Sequence, residues 1–566
     1  MSPIFLLLGV FTLSLAKTVT YDFDIGWVSA APDGYLRPVI GINGQWPIPT
    51  IEANVNDTIV VNVHNSLGNQ STSLHWHGLW HYGTNAYDGP VGVTQCPIAP
   101  GQSFTYTFQA YPAGPHWYHS HDKGQYSDGL RGKMIIHDPD WEASLDVEEQ
   151  IYLSMSDWYR TQMPYLIEEY LSPNNTEGHI PSPDSFLFND TRAGPTLNFK
   201  PGKRYLLRIV STASVACGDF HIDGHTLTVV AVDGEHVHPQ DADTIIICAG
   251  QSYDVVVVGQ WNPLSSVRYI AKMTTDMLNR EIPSNTNLTV IGTLAYNLDG
   301  RVLDSIYGGP DPSWTPTAFL DDTTLTPLDD QPLLSCVTKE VKFVTNQTYY
   351  EGIGTRIGMG AQPWVAPKVP SLYTALSTGP LASIASTYGP GIAPDIVEAG
   401  DIVQIYMENP QPWGHPMHLH GHAFQVAARG IGSWDGNEES LNPVPMKRNN
   451  VVIPGAGYLV LRFKADNPGV WFFHCHIDFH LVGGMGAVFI EAPDVLQRTQ
   501  SIPFAGSMLC ATSGECTEGN CACKSGVISA AEAHDECNTI YNTDNMEYGA
   551  MVPLSGAECQ GFNKRC

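Results

Sequence analysis

The sequence contains no run of eighteen uninterrupted apolar residues and no low-complexity tract. A membrane-spanning helix is therefore not expected. The chain ends in Gly-Phe-Asn-Lys-Arg-Cys rather than a hydrophobic tail, so no membrane anchor is expected either. Positive charge is scarce: 28 Lys and Arg stand against 57 Asp and Glu, a net charge of -29. That balance repels phosphate backbones and anionic membrane surfaces, and no nucleic-acid partner is expected. Helical periodicity is also sparse, its best stretch being Gln162 to Leu171.

What is present begins with length, since 566 residues exceed one compact core and predict several domains. Ile4 to Ala16 is an apolar run ending in Ser-Leu-Ala and followed by polar sequence. It reads as a cleaved signal peptide over residues 1–16, too short to cross a bilayer. Six Asn-x-Ser/Thr sequons, at Asn56, Asn69, Asn174, Asn189, Asn287 and Asn346, are candidate glycan sites and agree with secretion. A soluble extracellular or cell-surface protein is expected, acting as a monomer. Seven of the twelve cysteines lie after residue 505, marking 505–566 as a small disulfide-linked appendage separate from the third sandwich. Cys475 belongs to a metal motif described below, which leaves eleven cysteines for pairing. One of them stays unpaired or bridges another chain.

Period-two alternation dominates the rest, as in Thr58-Ile-Val-Val-Asn-Val63 and Tyr253-Asp-Val-Val-Val-Val258, broken by Gly, Pro and Asn turns. This is the pattern of stacked β-sandwiches. Turn-plus-strand units recur at Pro100-Gly101 and Pro201-Gly202, and three domains over 17–142, 143–305 and 306–504 account for the chain.

Histidine carries the chemistry. Random placement of 21 histidines in 566 positions gives about one His-x-His pair, yet the sequence has six. On a strand such a pair points two imidazoles to one face while the middle residue points away. Four pairs stand in matched contexts: His75-Trp-His77, His119-Ser-His121, His418-Leu-His420 and His474-Cys-His476. Two fall early and two late, which suits a cluster shared by the first and last domains. Imidazole donors favour copper over calcium or magnesium. Cys475 must face away from its two histidine neighbours, and His415, three residues before His418, faces away from its pair. With His480 and Met485 they form a two-histidine, one-thiolate set with a weak axial thioether, the donor set of blue copper. The lone pair His236-Val-His238 reads as a surface feature, His422 as a residue supporting a ligand, and His116 as packing.

All four motifs resemble the multicopper oxidase family of laccases, ascorbate oxidase, bilirubin oxidase and fungal iron-uptake ferroxidases, over about residues 20 to 500. The resemblance implies an all-β fold of three consecutive cupredoxin-like β-sandwich (Greek-key) domains, followed here by the Cys-rich C-terminal extension. It implies four coppers per chain: type 2 on His75 and His418; a type 3 pair on His77, His119, His121, His420, His474 and His476; type 1 on His415, Cys475, His480 and Met485. Single electrons taken at type 1 would pass through Cys475 and reduce O2 to water without an organic cofactor. Asp88 and Asp478 stand where the family places proton relays, and either could instead orient a ligand histidine. Cys96 would pair with Cys510 by the same resemblance; Cys217 with Cys248 is a further candidate pair.

Two stretches, Phe463-Lys-Ala-Asp-Asn-Pro-Gly-Val-Trp-Phe-Phe-His474 and Ala366-Pro-Lys-Val-Pro370, are most similar to the ferroxidase branch. That branch carries an Asp four residues before the first type 1 histidine, where this sequence has Gln411. Asn279 stands where a second iron-site Asp is expected, and Glu177 lies displaced from a third. Ferrous iron is best held by hard carboxylate oxygens, so the expected reductant is a phenol. The hybrid resembles fungal oxidases that couple polyketide phenols or naphthols in pigment or secondary-metabolite biosynthesis, with Glu177 or Asp219 as candidate acceptors of the phenolic proton. The alternative is a ferroxidase in iron uptake, with Glu177 or Glu281 replacing the missing acids. A second alternative, a non-enzymatic copper or electron carrier, would need the Cys475 site but not the other eight histidines.

Overall fold

The structure, a computed structural model, describes residues 16–284, 286–298, 301–304 and 318–541. Residues 1–15 of the expected signal peptide, together with Cys559 and Cys566, lie outside them. Alternation builds the sheets. In Thr58–Asn65 the residues Ile59, Val61 and Val63 are buried while their neighbours reach outward, the pattern of a sheet with one face on the core.

The sheets follow one another in three pairs. The first pair has strand order Arg37–Ile42, Thr18–Ala30, Thr58–Asn65, Ser103–Gln109 in one sheet and Ile51–Asn54, Arg131–His137, Gly114–His119, His75–His77 in the other. Phe23, Ile25 and Val61 from the first sheet share a core with Ile51, Tyr118 and Met134 from the second. The middle pair is built on Glu149–Trp158, Arg204–Ser211 and Ser252–Val258 in one sheet and Gly218–Ile222, Val267–Met273 and Thr289–Leu298 in the other. The last pair sets Ile402–Asn409, Gly457–Lys464 and Phe424–Ile431 against Gly486–Glu491, Gly469–Cys475 and His415–Leu419. The result is the cupredoxin-like, nearly all-β architecture expected. The helix read from Gln162 forms as Met163–Leu171, with Gln162 as its N-cap residue.

Packing between the pairs positions the site. Val470, Phe472, Val488 and Ile490 of the last pair join the core of the first, so the chain closes on itself. Residues of the middle and last pairs, such as Phe220 and Phe473, belong to one continuous apolar cluster.

Residues 505–541 of the tail correct one expectation, because they are not a separate appendage. Leu509 and Cys510, in the helix Phe504–Ser513, enter the core of the first pair. Cys521 N donates to Thr387 O and Asn538 Nδ2 to Ala366 O, stitching later tail residues to the last pair. Disulfides join Cys96 to Cys510, Cys217 to Cys248, Cys516 to Cys523 and Cys521 to Cys537. Among the described residues Cys336 and Cys475 are the free thiols, the first exposed and the second buried.

Candidate metal centre

Strand register assembles the histidines. His75–His77 runs antiparallel to Gly114–His119 with His75 opposite His119. In the last pair His418 lies opposite His474 and Met417 opposite Cys475. The two strand pairs meet where the first and last units close, and all eight imidazoles of the matched motifs are buried there. Gly89 makes the approach possible: at φ +106°, a Cβ on it would stand 1.9 Å from Leu74 O. Only glycine tolerates that conformation and that contact.

The ligating atoms of His75, His77 and His119 lie within 4.8 Å of one another, as do those of His75, His418 and His420 and those of His121, His420 and His474. His77 Nδ1 and His476 Nε2 converge to 3.2 Å, and His420 Nε2 and His474 Nε2 to 3.1 Å. The backbone assigns the tautomers. Nδ1 of His75, His119, His418 and His474 donates to the carbonyls of Asp88, Ser120, Asn449 and Cys475 at 2.8–2.9 Å, leaving each Nε2 as a lone-pair donor to a metal. Nε2 of His75, His119 and His418 is buried with no hydrogen-bond partner. Burial first, and then neighbouring imidazoles, holds His77, His119, His121, His418 and His420 well below the ordinary histidine range. Neutral, converging, unpartnered imidazoles are what a copper cluster requires and what a metal-free core would avoid.

On the other face of Gly469–Cys475, Cys475 Sγ lies 3.5 Å from His480 Nδ1 and 3.7 Å from His415 Nδ1, and the two nitrogens are 3.1 Å apart. Met485 is fully buried; its N–H donates to His480 O and its carbonyl accepts from Cys475 N, which keeps it beside the trio. Burial, against an opposing backbone hydrogen bond from Ile477, pushes the Cys475 thiol up, and burial pushes His415 down to about 3. The thiolate therefore forms only when a cation replaces its proton. His415 Nε2 donates to Gln411 Oε1 at 2.6 Å, while Gln411 Nε2 is buried without a partner.

Asp88 is wedged between two of the candidate ligand histidines. Its Oδ2 accepts from His420 Nδ1 at 2.9 Å and its Oδ1 lies 3.1 Å from His75 Nδ1. Burial pushes this carboxyl up, but His75, His81 and His121 more than offset that and leave it below the ordinary range. Asp478 accepts from Ser127 Oγ at 2.9 Å and borders a cavity with His119, His121, His474 and His476. Burial, with Asp157 and Asp128 adding to it against the Ser127 hydrogen bond, raises Asp478 to about 7.

The remaining residues singled out earlier lie outside the cluster. His422 meets Glu491 at 2.9 Å and donates from Nδ1 to His420 O. His116 Nε2 donates to Pro112 O. His236 stacks on Trp141, and His238 meets the exposed Asp330. Glu177 and Glu281 are exposed. Asp219 is 5% exposed, and burial, with Asp276 adding and Lys272 opposing, raises its carboxyl to about 7. Sequence spacing gave no sign of two buried partners. Glu491, which holds His422, lies far along the chain from it, and His81 stands four residues after His77, outside the i+2 pattern.

Models of the multicopper oxidase family match residues 24–140, 149–298 and 364–495. The chain is 40% identical over 520 residues to the iron transport multicopper oxidase fetC of Epichloe festucae, covering 90% of this chain and 82% of that one. It is 40% identical over 524 residues to the iron transport multicopper oxidase FET3 of Gibberella zeae, covering 91% and 83%. Among solved structures, Fet3p, a multicopper oxidase that functions in iron import, superposes with a TM-score of 0.85 at 33% identity, covering 92% of this chain and 99% of that one. The laccase of Botrytis aclada gives 0.72 at 26% identity, covering 88% and 92%. With buried histidines converging as four-copper chemistry needs and with relatives of this extent, the chain belongs to the multicopper oxidase family, enzymes that hold one type 1, one type 2 and a pair of type 3 coppers and use O2 as electron acceptor.

Proposed function

We propose that this oxidase takes single electrons from ferrous iron beside His415 and His480 and passes them to O2. The carrying observation is the pair of relatives 40% identical along most of their length, both described as iron transport multicopper oxidases. They favour the iron alternative over the polyketide-phenol coupling expected from the sequence, and they lend no support to a pigment role. The donor sets named from the motifs fit: His415, Cys475, His480 and Met485 for type 1, His75 and His418 for type 2, and His77, His119, His121, His420, His474 and His476 for type 3. When bound, copper supplies one-electron redox chemistry and the binding of O2. The chain supplies the rest. Cys475 joins the two sites covalently, since its side chain faces one set and its neighbours His474 and His476 face the other. Asp478, raised to about 7, holds a proton close to these residues, while the ionised Asp88 accepts a hydrogen bond from His420.

Replacement acids for iron stand on adjoining turns. Asn279 Oδ1 accepts from Ile180 N and its Nδ2 donates to Gly178 O, a pairing that only an amide makes. It sets the turn bearing exposed Glu177 against the segment bearing exposed Glu281. The same turn follows the helix Met163–Leu171, whose Tyr170 ring packs on Phe479 beside His480. A net charge of -29 attracts Fe2+ as well.

One observation favours a second reading, the oxidation of phenols. The group touching His415 is the neutral Gln411 amide, whose buried Nε2 offers a donor. A donor there suits a phenol oxygen and does nothing for a cation. Oxygen consumption by the copper-loaded protein with Fe2+, a diphenol and a naphthol separates the two. Fe2+ is expected to give the highest kcat/KM, reduced about tenfold in the double variant Glu177→Gln, Glu281→Gln with phenol turnover unchanged. Efficient phenol turnover with poor iron turnover would leave the second reading standing alone.

The exposed sequons Asn56 and Asn174 and the apolar start of the chain support passage through the secretory pathway. Among the described residues no helix is long and apolar enough to cross a membrane.

A further inference from the structure

Of the six sequon asparagines, Asn69, Asn189, Asn287 and Asn346 are partly buried, while Asn56 and Asn174 are exposed. Three of the partly buried amides are already engaged. Asn189 Oδ1 accepts from Lys133 Nζ at 2.7 Å, Asn287 Oδ1 accepts from Thr289 N at 3.1 Å, and Asn346 Nδ2 donates to Gly360 O at 2.5 Å. A sugar on Nδ2 is bulky and polar, so it belongs where the folded surface leaves room for it. Asn56 stands on a turn of the first sheet pair, between Ile51–Asn54 and Thr58–Asn65. Asn174 stands beside the type 1 residues.

It lies three residues before Glu177, on the turn that follows the helix Met163–Leu171. The turn is tightly held. Asn175 Nδ2 donates to Tyr170 O at 2.8 Å and to His179 O at 3.0 Å, and its Oδ1 accepts from His179 N at 2.9 Å. From outside, the hairpin of Asn346–Tyr350 and Gly354–Gly358 braces it. Tyr349 Oη donates to Pro173 O at 3.3 Å, and Thr355 Oγ1 and Gln347 Nε2 donate to Thr176 O and Glu177 O at 2.7 Å. A group attached at Asn174 projects from a fixed base.

Two routes lead from this turn to the type 1 histidines. Tyr170 packs on Phe479 with ring centroids 5.5 Å apart, next to His480. On the other side His179 Nδ1 donates to Asn279 O at 3.0 Å. In the same segment, Met277 Cε lies 3.7 Å from the place a Cβ on Gly414 would take, next to His415. Both histidines are buried, and beside His415 the chain reaches the surface at Pro412, Trp413 and Gly414. The turn therefore flanks the ground a reductant approaches.

We propose that Asn174 carries an N-linked glycan that screens this approach by size. The proposal deepens the iron reading above and rests on it for the identity of the favoured reductant. In the attachment, Asn174 Nδ2 attacks the anomeric carbon of an oligosaccharide carried on a lipid pyrophosphate. The C–N bond forms as the C–O bond to pyrophosphate breaks, the Nδ2 proton leaves to a base, and nothing is oxidised or reduced. Hydrated Fe2+ is small, and neutral sugars leave its attraction to the acidic surface intact. A naphthol must bring a flat ring against the protein near His415 or His480, and a branched sugar anchored beside that ground occupies the volume it needs. Selectivity then comes from obstructing a competitor.

Peptide mass spectrometry of the protein secreted by a fungal host is expected to find Asn174 glycosylated. The sugar is then removed by Thr176→Ala, by Asn174→Gln, and by an endoglycosidase that leaves one residue without changing the sequence; Asn56→Gln is the control. Oxygen uptake by each copper-loaded form is measured with Fe2+ and with a naphthol. In all three stripped forms kcat/KM for the naphthol is expected to rise roughly threefold to tenfold, with Fe2+ within about twofold of wild type and the control unchanged. An unoccupied Asn174 would overturn the proposal; occupancy at Asn56 alone would do so while leaving passage through the secretory pathway intact. Naphthol turnover within about twofold of wild type after stripping, or an equal rise for Fe2+, would also overturn it. A glycosylated protein that already prefers the naphthol would unseat the iron reading, and a further rise on stripping would still support the screen.

Discussion

Cys475 stands between two candidate ligand histidines but faces a different candidate donor set, and that placement makes its deletion diagnostic. Cys475→Ser is expected to remove the blue absorption and all oxidase turnover together, read by visible spectra and oxygen uptake; retained turnover would refute the covalent route between the sites. Asp219 makes a separate, titratable contribution. Burial raises its folded pKa to about 7, above an unfolded value near 3.9, so the native state binds this proton more tightly. The resulting stability is fully present below about pH 4 and is lost as pH rises through about 7. Asp219→Asn is expected to melt at a higher temperature than the wild type at pH 8, the two converging by about pH 4 in scanning calorimetry. The ligand histidines were legible singly because the signal is local. The contact of Gln411 with His415 was legible only as a missing acid, since its direction depends on how the turn before the strand closes.

Strands carry the site, and their period of two is why the motifs could be read. His474 and Cys475 face opposite ways because side chains alternate along Gly469–Cys475, and His476, one residue past the strand end, returns to the His474 side. What holds Asp88 against that strand system is a turn, and its key residue is Gly89. Gly89→Ala would push a methyl into Leu74 O and the backbone of His75. Copper occupancy is expected to fall, with loss of the type 2 signal first, measured by metal analysis and electron paramagnetic resonance. Full occupancy in that variant would show that the turn yields more easily than its contacts indicate. The helix Met163–Leu171 was visible in its apolar pattern. The helix Phe504–Ser513 was not, because its weakly one-sided sequence is decided by burial against another unit.

The whole molecule is a ring of three sheet pairs closed by contacts between its first and last members, and the disulfide Cys96–Cys510 crosses that closure over 414 residues. Linking such distant positions restricts the unfolded chain, an effect of about 2–5 kcal/mol for native disulfides. The paired variant Cys96→Ser, Cys510→Ser is expected to lower the thermal midpoint by several degrees and to release copper at lower denaturant concentration. Since the histidines come from both partners in the closure, copper loss should coincide with opening of that interface. Unfolding of the first sheet pair with copper retained would contradict it.

Sequence alone determined the fold class and the family of this protein and named its candidate ligands, because alternation and His-x-His spacing are properties of a strand and survive without knowledge of its neighbours. Only the tertiary structure decided that His81 lies against Asp88, that Glu491 holds His422, and that residues 505–541 of the cysteine-rich tail pack onto the first and last units. The first two contacts lie within one unit but outside any period-two pattern, and the tail is tied across the closure of the ring by Cys96–Cys510, 414 positions apart. Nothing in local periodicity records which distant surface a buried polar group will meet.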